Sequence, residues 1–451
     1  MNIKEAAREI PVALSADVIV AGGGVAGISA ALSAARSGAD TILVERYGFL
    51  GGTVTACPMK WIGGYNPKVH GGIMREVIER LRREGGITRE FHNPVIGGLM
   101  LEVALDVFKE ISISMLEEAG VRLLFHSWIA DSIVEDGRIC GIIIESKSGR
   151  QAITSKVVID ATGDADVAVR AGALCEIGRP QDGRTQAMTL CGPTMDNVDT
   201  GSLLTFIRSY KKEHPEDIKE FIDDGSVFAA SGFTQIVNKA EEESGLSIGY
   251  DTIWINGKKG DPKVELSGST VTDANGTNVL DLTRAEVISA KQLADMVAIA
   301  KKHIPGFENS IRMDRGSAAI GVRETRRVTG RYILTEDDIV NGRKFDDAIA
   351  QNSTPMDVHS PEGSQSWTQT HPYDIPYRCL IPKGVDNLLV AGRCISTTSR
   401  ALASTRFIPC CMATGQAAGV AAAVSVERGV SPSSLDGAEI RKMLIKAGAD
   451  L

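Results

Sequence analysis

Aromatic residues are scarce in this chain, with Phe, Trp and Tyr supplying 5% of its 451 residues, and histidine occurs 7 times. No stretch approaches the roughly 18 to 20 unbroken apolar residues of a membrane span, so none is expected. Met1 to Ser15 mixes Lys4, Glu5, Arg8 and Glu9 with short apolar pieces and lacks the basic, apolar and small-residue order of a secretory signal. Basic residues are scattered apart from Arg323, Arg326 and Arg327, which leaves no electrostatic footprint for nucleic acid. The eight cysteines contain no C-x-x-C pair and no zinc or iron–sulfur spacing. No bound metal and a cytoplasmic location are therefore expected.

What the chain has in excess is glycine: 47 positions against a usual share of about 7%. The formal charge of −8, with 43% hydrophobic and 24% charged residues, is that of an ordinary globular protein. The length suits two domains, or one large domain carrying an insertion.

Asp17 to Ala21 reads as a short buried strand, and Gly22-x-Gly24-x-x-Gly27 follows it at once, opening a small-residue helix from Val25 to about Ser37. In that context Gly22 makes the tight turn, Gly24 lets the backbone approach a pyrophosphate, and Gly27 lets helix and strand pack closely. The helix N-terminus, with Val25 and Ala26, offers free N–H groups to phosphates. Glu45 ends the next strand, Thr41 to Val44, where a carboxylate can accept from an adenosine ribose, with Arg46 beside it. Met74 to Gly120 reads as mainly helical, Val121 to Ile159 as a strand meander containing Ile129, and Ile253 to Val264 as a hairpin. A helix is expected from about Leu282 to His303, and a late Ala/Gly-rich helix from about Pro409 to Val426.

One such fingerprint does not separate NAD from FAD. Gly51-Gly52-Thr53, then Asp160-Ala161-Thr162-Gly163, then Leu388 to Arg393 followed by Thr414-Gly415-Gln416-Ala417-Ala418 make the chain resemble flavoproteins whose FAD domain is built like those of glutathione reductase and fumarate reductase. Within them it is similar to the large bacterial FAD-dependent oxidoreductase family of mostly unassigned activity, on stretches such as Gly321-Val322-Arg323-Glu324-Thr325-Arg326-Arg327, Ile375-Pro376-Tyr377-Arg378 and Gly392-Arg393-Cys394. The resemblance implies that the second glycine pair approaches the flavin, and that Gly392, Arg393 and the segment from Thr414 to Ala418 touch it. Two departures stand out: Gly392-Arg393 replaces a common Gly-Asp, and no histidine lies between Glu45 and Gly52 where fumarate reductases attach flavin covalently. Non-covalent FAD is expected.

Hydride transfer at flavin N5 needs a proton acceptor or donor and an anchor for the substrate. His371 and His359 are the candidates for the first role and Arg406 for the second; the alternatives are a loop histidine satisfied by backbone and an interdomain ion pair. Arg323, Arg326 and Arg327 are expected to pair internally through Glu324, and Cys410-Cys411 to be packing residues. No second dinucleotide fingerprint is present. The expected fold is thus α/β: a Rossmann-like FAD-binding domain (1–185 and 375–451), with a central parallel sheet plus an antiparallel meander, and an inserted α+β cap or substrate domain (186–374). The expected function is an FAD-dependent oxidoreductase acting on a small polar substrate, anionic ones included. An electron-transfer subunit and an NAD(P)H-supplied hydroxylase or biosynthetic enzyme remain open alternatives, as do a homo-oligomer and a redox partner.

Overall fold

The computed structural model describes residues 3, 8–313 and 317–451; Lys4 and Glu5 of the opening segment lie outside the described residues. The first strand, Val12–Ala21, ends in four fully buried residues from Val18 to Ala21, as a parallel strand covered on both faces requires. It pairs in parallel with Thr41–Val44 on one side and Gly149–Asp160 on the other. Arg122–Leu124 extends the sheet beside Thr41–Val44, and Leu388–Val390 returns from far along the chain to pair in parallel with the end of Gly149–Asp160. Trp128–Glu135, Arg138–Ser146 and Gly149–Asp160 form the antiparallel meander. This is the α/β, Rossmann-like arrangement expected.

Register decides where the site falls. Ala21 lies opposite both Val44 and Asp160, and Val390 lies opposite Asp160. The chain therefore leaves all four strands at one edge, which brings Gly22, Glu45, Ala161 and Ala391 together at the carboxyl ends, where open α/β sheets bind ligands.

The helix Val25–Arg36 packs against the late helix Ile408–Arg428 through small residues. A Cβ at Gly415 would collide with the Ala26 carbonyl, and one at Gly419 with the Ala30 carbonyl. Ile408–Arg428 is the one helix among the described residues long and apolar enough to cross a membrane, and 89% of its apolar window is buried inside the protein.

A second sheet holds six antiparallel strands in the order Ile218–Asp223, Val227–Gly232, Ile253–Lys258, Val264–Ser267, Thr194–Asp196 and Ile311–Arg312. The hairpin expected at Ile253 is its centre, and the long helix Val279–His303 contributes Leu293, Met296 and Ile299 to its core. Most buried apolar side chains between Met188 and Ile320 belong to this second core, with Val227 and Ala229 packing instead on Phe91, whereas Ile349, Ala350, Met356 and Tyr373 pack into the first.

The region from Met74 to Gly120 departs from its helical reading. Helices Gly72–Arg83 and Leu105–Glu118 flank a hairpin, Ile87–Asn93 with Gly98–Val103, that joins Trp61–Tyr65 in a three-stranded sheet. Two-residue alternation from Ile87 to Asn93 is the signal of a half-exposed strand, and Asn93 caps the turn by accepting from the N–H groups of Val95 and Ile96.

Candidate active site

A cavity runs along the edge where Gly22, Glu45, Ala161 and Ala391 leave the sheet, and all four line it. Gly22 turns with φ +99°, and a Cβ there would stand 2.7 Å from the Ala161 oxygen, so no other residue fits. The helix that follows starts after Gly24 with no side chain capping it, which leaves its first N–H groups and the positive end of its dipole to the cavity. The second glycine turn lies against the first: Gly51 N donates to Gly23 O at 2.9 Å, and Gly52, with φ +54°, would place a Cβ 2.8 Å from Gly24 Cα. Two glycine backbones thus form one cradle.

Glu45 is buried and fixes this cradle. Its carboxylate accepts from Gly23 N at 2.6 Å and from Tyr47 N at 2.9 Å, and lines the cavity. A carboxylate has capacity for about four bonds, so acceptor sites remain for a ribose. Beside it the Arg46 guanidinium lies over the rings of Tyr47, at 4.8 Å, and Trp128, at 5.5 Å.

The Ala161-Thr162-Gly163 turn is held from beneath by Asp160. This fully buried carboxylate accepts from Thr162 N and Oγ1 and from the first turns of Asp166–Arg170 through Val167 N and Ala168 N. Burial pushes its pKa up to about 6, against the pull of those donors. Arg393, standing where related proteins have Asp, contacts Asp164 at 2.7 Å and Thr325 Oγ1 at 3.1 Å. Arg393 and Asp164 both line the cavity, so a carboxylate is present there after all, from a different part of the chain.

The rest of the wall is built by Ala56 and Cys57, by Ala319, Ile320 and Val322, and by Arg406, Ile408 and Cys411 at the start of the late helix. Ala318 N and Ala319 N both donate to the Ala56 carbonyl, which docks this segment on the glycine cradle. Arg406 donates through Nη2 to the Asp357 carbonyl at 2.8 Å and carboxylate at 2.9 Å, while its buried Nε has no partner among the described residues. His359 Nε2 meets the same carboxylate oxygen at 3.1 Å. Burial and the Arg323 charge pull His359 down to about 4, so it is neutral near pH 7. Burial works against the Asp357 charge, yet His359, Arg406 and Arg323 together hold that carboxyl well below the usual range. Arg323 donates to Ala187 O and Thr189 Oγ1, both at 2.7 Å; burial and Arg406 lower it to about 10, still protonated at neutral pH.

Fifteen of the sequence-derived cofactor residues meet in this cavity: Gly22, Gly24, Val25, Ala26, Glu45, Arg46, Gly51, Gly52, Thr53, Ile129, Ala161, Thr162, Gly163, Gly392 and Arg393. Arg406 joins them. Gly27, Thr414, Gly415, Gln416, Ala417 and Ala418 are not among the lining residues. A Cβ at Gly27 would strike the Gly22 carbonyl, and Gly415 packs on Ala26. Thr414 accepts from Gly392 N at 3.1 Å, and Gln416 accepts from Ile73 N at 3.0 Å, so both serve as internal braces. A helix end acts over its first turn, and Thr414 stands about 9 Å down the axis from Ile408 at 1.5 Å per residue. His371 is exposed and outside the lining, while His359 reaches the cavity only through Asp357 and Arg406. Arg326 and Arg327 pair internally, with Asp166 and Glu324, whereas Arg323 donates to the Ala187 carbonyl and the Thr189 hydroxyl. Ala319, Ile320, Asp357 and the Arg323–Arg406 proximity carried no local sequence signal, while Tyr47 and Trp128 adjoin residues already singled out.

An uncapped helix start, an acidic acceptor at the next strand and a bare glycine cradle within one cavity fit an extended dinucleotide. The model of the family described as FAD dependent oxidoreductase matches residues 17–444. The chain is similar to digeranylgeranylglycerophospholipid reductase 2 of Methanothermobacter thermautotrophicus, 28% identical over 246 residues, 52% of this chain and 56% of that protein. It is also similar to thiamine thiazole synthase of Aeropyrum pernix, 31% identical over 170 residues, 35% of this chain and 58% of that protein. The chain thus spans a little over half the length of these relatives. Among solved structures, the flavin-dependent brominase Bmp2 superposes with a TM-score of 0.51 at 14% identity, covering 96% of this chain and 83% of that one, which is a likeness of fold. Aquifex aeolicus GidA does so with a TM-score of 0.50 at 13% identity, covering 96% and 68%. The chain belongs to the FAD dependent oxidoreductase family, and FAD is its cofactor.

Proposed function

We propose that this oxidoreductase exchanges a hydride between FAD and a small polar anion held by Arg406 at the wall of the cavity. The observation that carries the reading is that Arg406, held on Asp357 at 2.9 Å, lines the cavity with a buried Nε that has no partner among the described residues, while the buried Arg323 adds a second positive charge nearby. Excess positive charge with an unbonded Nε donor on a cavity-lining arginine suits a carboxylate or phosphate group. His359 is a positioning residue in this reading: neutral, it steadies Asp357, which aims Arg406. His371 takes no part.

FAD, when bound, supplies the two-electron acceptor or donor. The glycine cradle and the start of Val25–Arg36 would hold its pyrophosphate, Glu45 its ribose, and the Arg393–Asp164 pair the ribityl chain, all without a covalent bond. The setting proposed is the cytoplasm, where any disulfide is transient.

The test is anaerobic mixing of FAD-loaded protein with α-hydroxy and α-amino carboxylates and with their uncharged amides. Bleaching of the long-wavelength flavin band by a carboxylate but not by its amide is expected. Bleaching only by reduced nicotinamide would instead favour a hydroxylase, and bleaching only by an iron–sulfur donor protein an electron-transfer subunit.

A further inference from the structure

Cys57 and Cys191 are 134 positions apart in sequence, yet their sulfurs lie 3.8 Å from each other and both residues are buried. Cys57 follows the short helix Thr53–Ala56 at the glycine cradle and lines the cavity. Cys191 stands just ahead of Thr194–Asp196 in the six-stranded sheet. Gly321 leaves room for the Cys57 sulfur, since a Cβ there would come within 2.7 Å of Cys57 Sγ. Gly321 and Thr189 exchange backbone hydrogen bonds of 2.8 and 3.0 Å, so that wall is held in place.

A buried cysteine is ordinarily a small apolar packer. Cys379, Cys394, Cys410 and Cys411 behave so: burial pushes each thiol up. At Cys57 the direction reverses: the contact with Cys191 holds its thiol below the ordinary value against burial, with the Arg323 charge adding to the effect, and the Cys57 thiol is in hydrogen-bond contact with the Cys191 sulfur and with the Thr189 carbonyl at 3.6 Å. Cys191 is pushed up in turn by that same bond and by burial. The two sulfurs stand as close neighbours of unequal acidity, and thiol–disulfide chemistry proceeds through the more acidic sulfur of such a pair.

We propose that Cys57 and Cys191 form a reversible dithiol–disulfide couple that exchanges electrons with the FAD in the adjoining cavity. Forming the disulfide breaks two S–H bonds and makes one S–S bond, releasing two electrons and two protons. Oxidised FAD takes both electrons and both protons to become the two-electron-reduced flavin; the reverse reaction opens the disulfide. The sulfurs must close from 3.8 Å to about 2 Å, a movement shared by two side chains in loops. The bond would also tie the six-stranded sheet to the glycine cradle. The inference rests on FAD as cofactor and not on the organic substrate or on Arg406.

Two measurements test it. In the first, the protein is equilibrated in glutathione buffers of graded potential, alkylated and digested, and its peptides are weighed. A Cys57–Cys191 linked peptide is expected at oxidising poise, reversed by dithiothreitol, absent in Cys57→Ser and Cys191→Ser and retained in Cys410→Ser. Free alkylated Cys57 and Cys191 at every poise, or a link between other cysteines, would overturn the proposal. The second is an anaerobic dithionite titration of the oxidised, FAD-loaded protein. Wild type is expected to take up four electrons and each single variant two; equal uptake would overturn the electron exchange with flavin.

Discussion

The Arg406 guanidinium grips Asp357 twice, at its carbonyl (2.8 Å) and at its carboxylate (2.9 Å), and so ties the entry of the late helix to the strand Met356–His359. This geometry places a cation at the cavity wall while leaving Nε without a partner among the described residues. Replacing Arg406 by Gln removes both the charge and the fork. A hydrogen bond to a charged group contributes about 1.5–3 kcal/mol, so KM for an anionic substrate is expected to rise by roughly 10- to 100-fold. FAD content, read from the absorbance of desalted protein, is expected to stay near that of wild type. Arg406→Lys restores charge without the planar fork and is expected to recover only part of the loss.

Gly52 tests the cradle. An added methyl would sit 2.8 Å from Gly24 Cα, at a φ of +54° that side chains rarely adopt. Gly52→Ala is expected to push the two glycine turns apart and weaken FAD binding by at least about tenfold, measured by fluorescence titration of the apoprotein. Gly38→Ala, at an exposed positive-φ turn with nothing within 4 Å of the added methyl, is expected to cost about 1 kcal/mol of stability and leave FAD affinity unchanged.

Glu45 holds Gly23 N and Tyr47 N at once. Truncating it to Ala leaves two backbone donors without their partner, at about 1–3 kcal/mol each. Both the urea midpoint of the apoprotein and FAD affinity are expected to fall, whereas Glu45→Gln, which keeps one acceptor, is expected to lose less.

Acid should destabilise the protein through its buried histidines. His70 accepts from Asn66 N at 3.0 Å and meets Asn352 Oδ1 at 3.1 Å, an arrangement that suits the neutral ring. Burial lowers it to about 4 from an ordinary 6.5. A depressed histidine contributes stability that is fully present above pH 6.5 and is lost as pH falls toward 4, because the unfolded chain binds the proton first. The shift corresponds to about 3 kcal/mol, and His359 acts in the same direction. Urea unfolding at about pH 7.5 and about pH 4.5 is expected to show this loss, and His70→Gln to flatten it.

The parts of the site legible in sequence are those enforced over a few residues. Gly22, Gly24, Gly51 and Gly52 are dictated by turns and backbone contacts that admit no side chain, and Glu45 by its place at the end of a buried strand. The late helix was legible as a helix, but its Ala/Gly composition serves close packing and cofactor contact alike. The resemblance therefore points to Thr414 to Ala418 as flavin contacts, while Ile408 and Cys411 of the same helix line the cavity. The cluster of Arg323, Asp357, His359 and Arg406 is assembled by tertiary folding from separate segments, and no spacing announces it. His371, by contrast, had only its position in the chain to recommend it. The hairpin from Ile87 to Val103 was hidden between two helices whose stronger periodicity dominated the region.

FAD has two ends, and a crystal structure of the FAD-loaded protein shows which way it runs along the cavity. The adenosine ribose is expected at Glu45, the pyrophosphate at the N–H groups that open Val25–Arg36, and the isoalloxazine at the end formed by Cys57, Arg406 and Ile408. Adenine beside Arg406, or an isoalloxazine ring out of reach of both Arg406 and Cys57, would contradict this orientation.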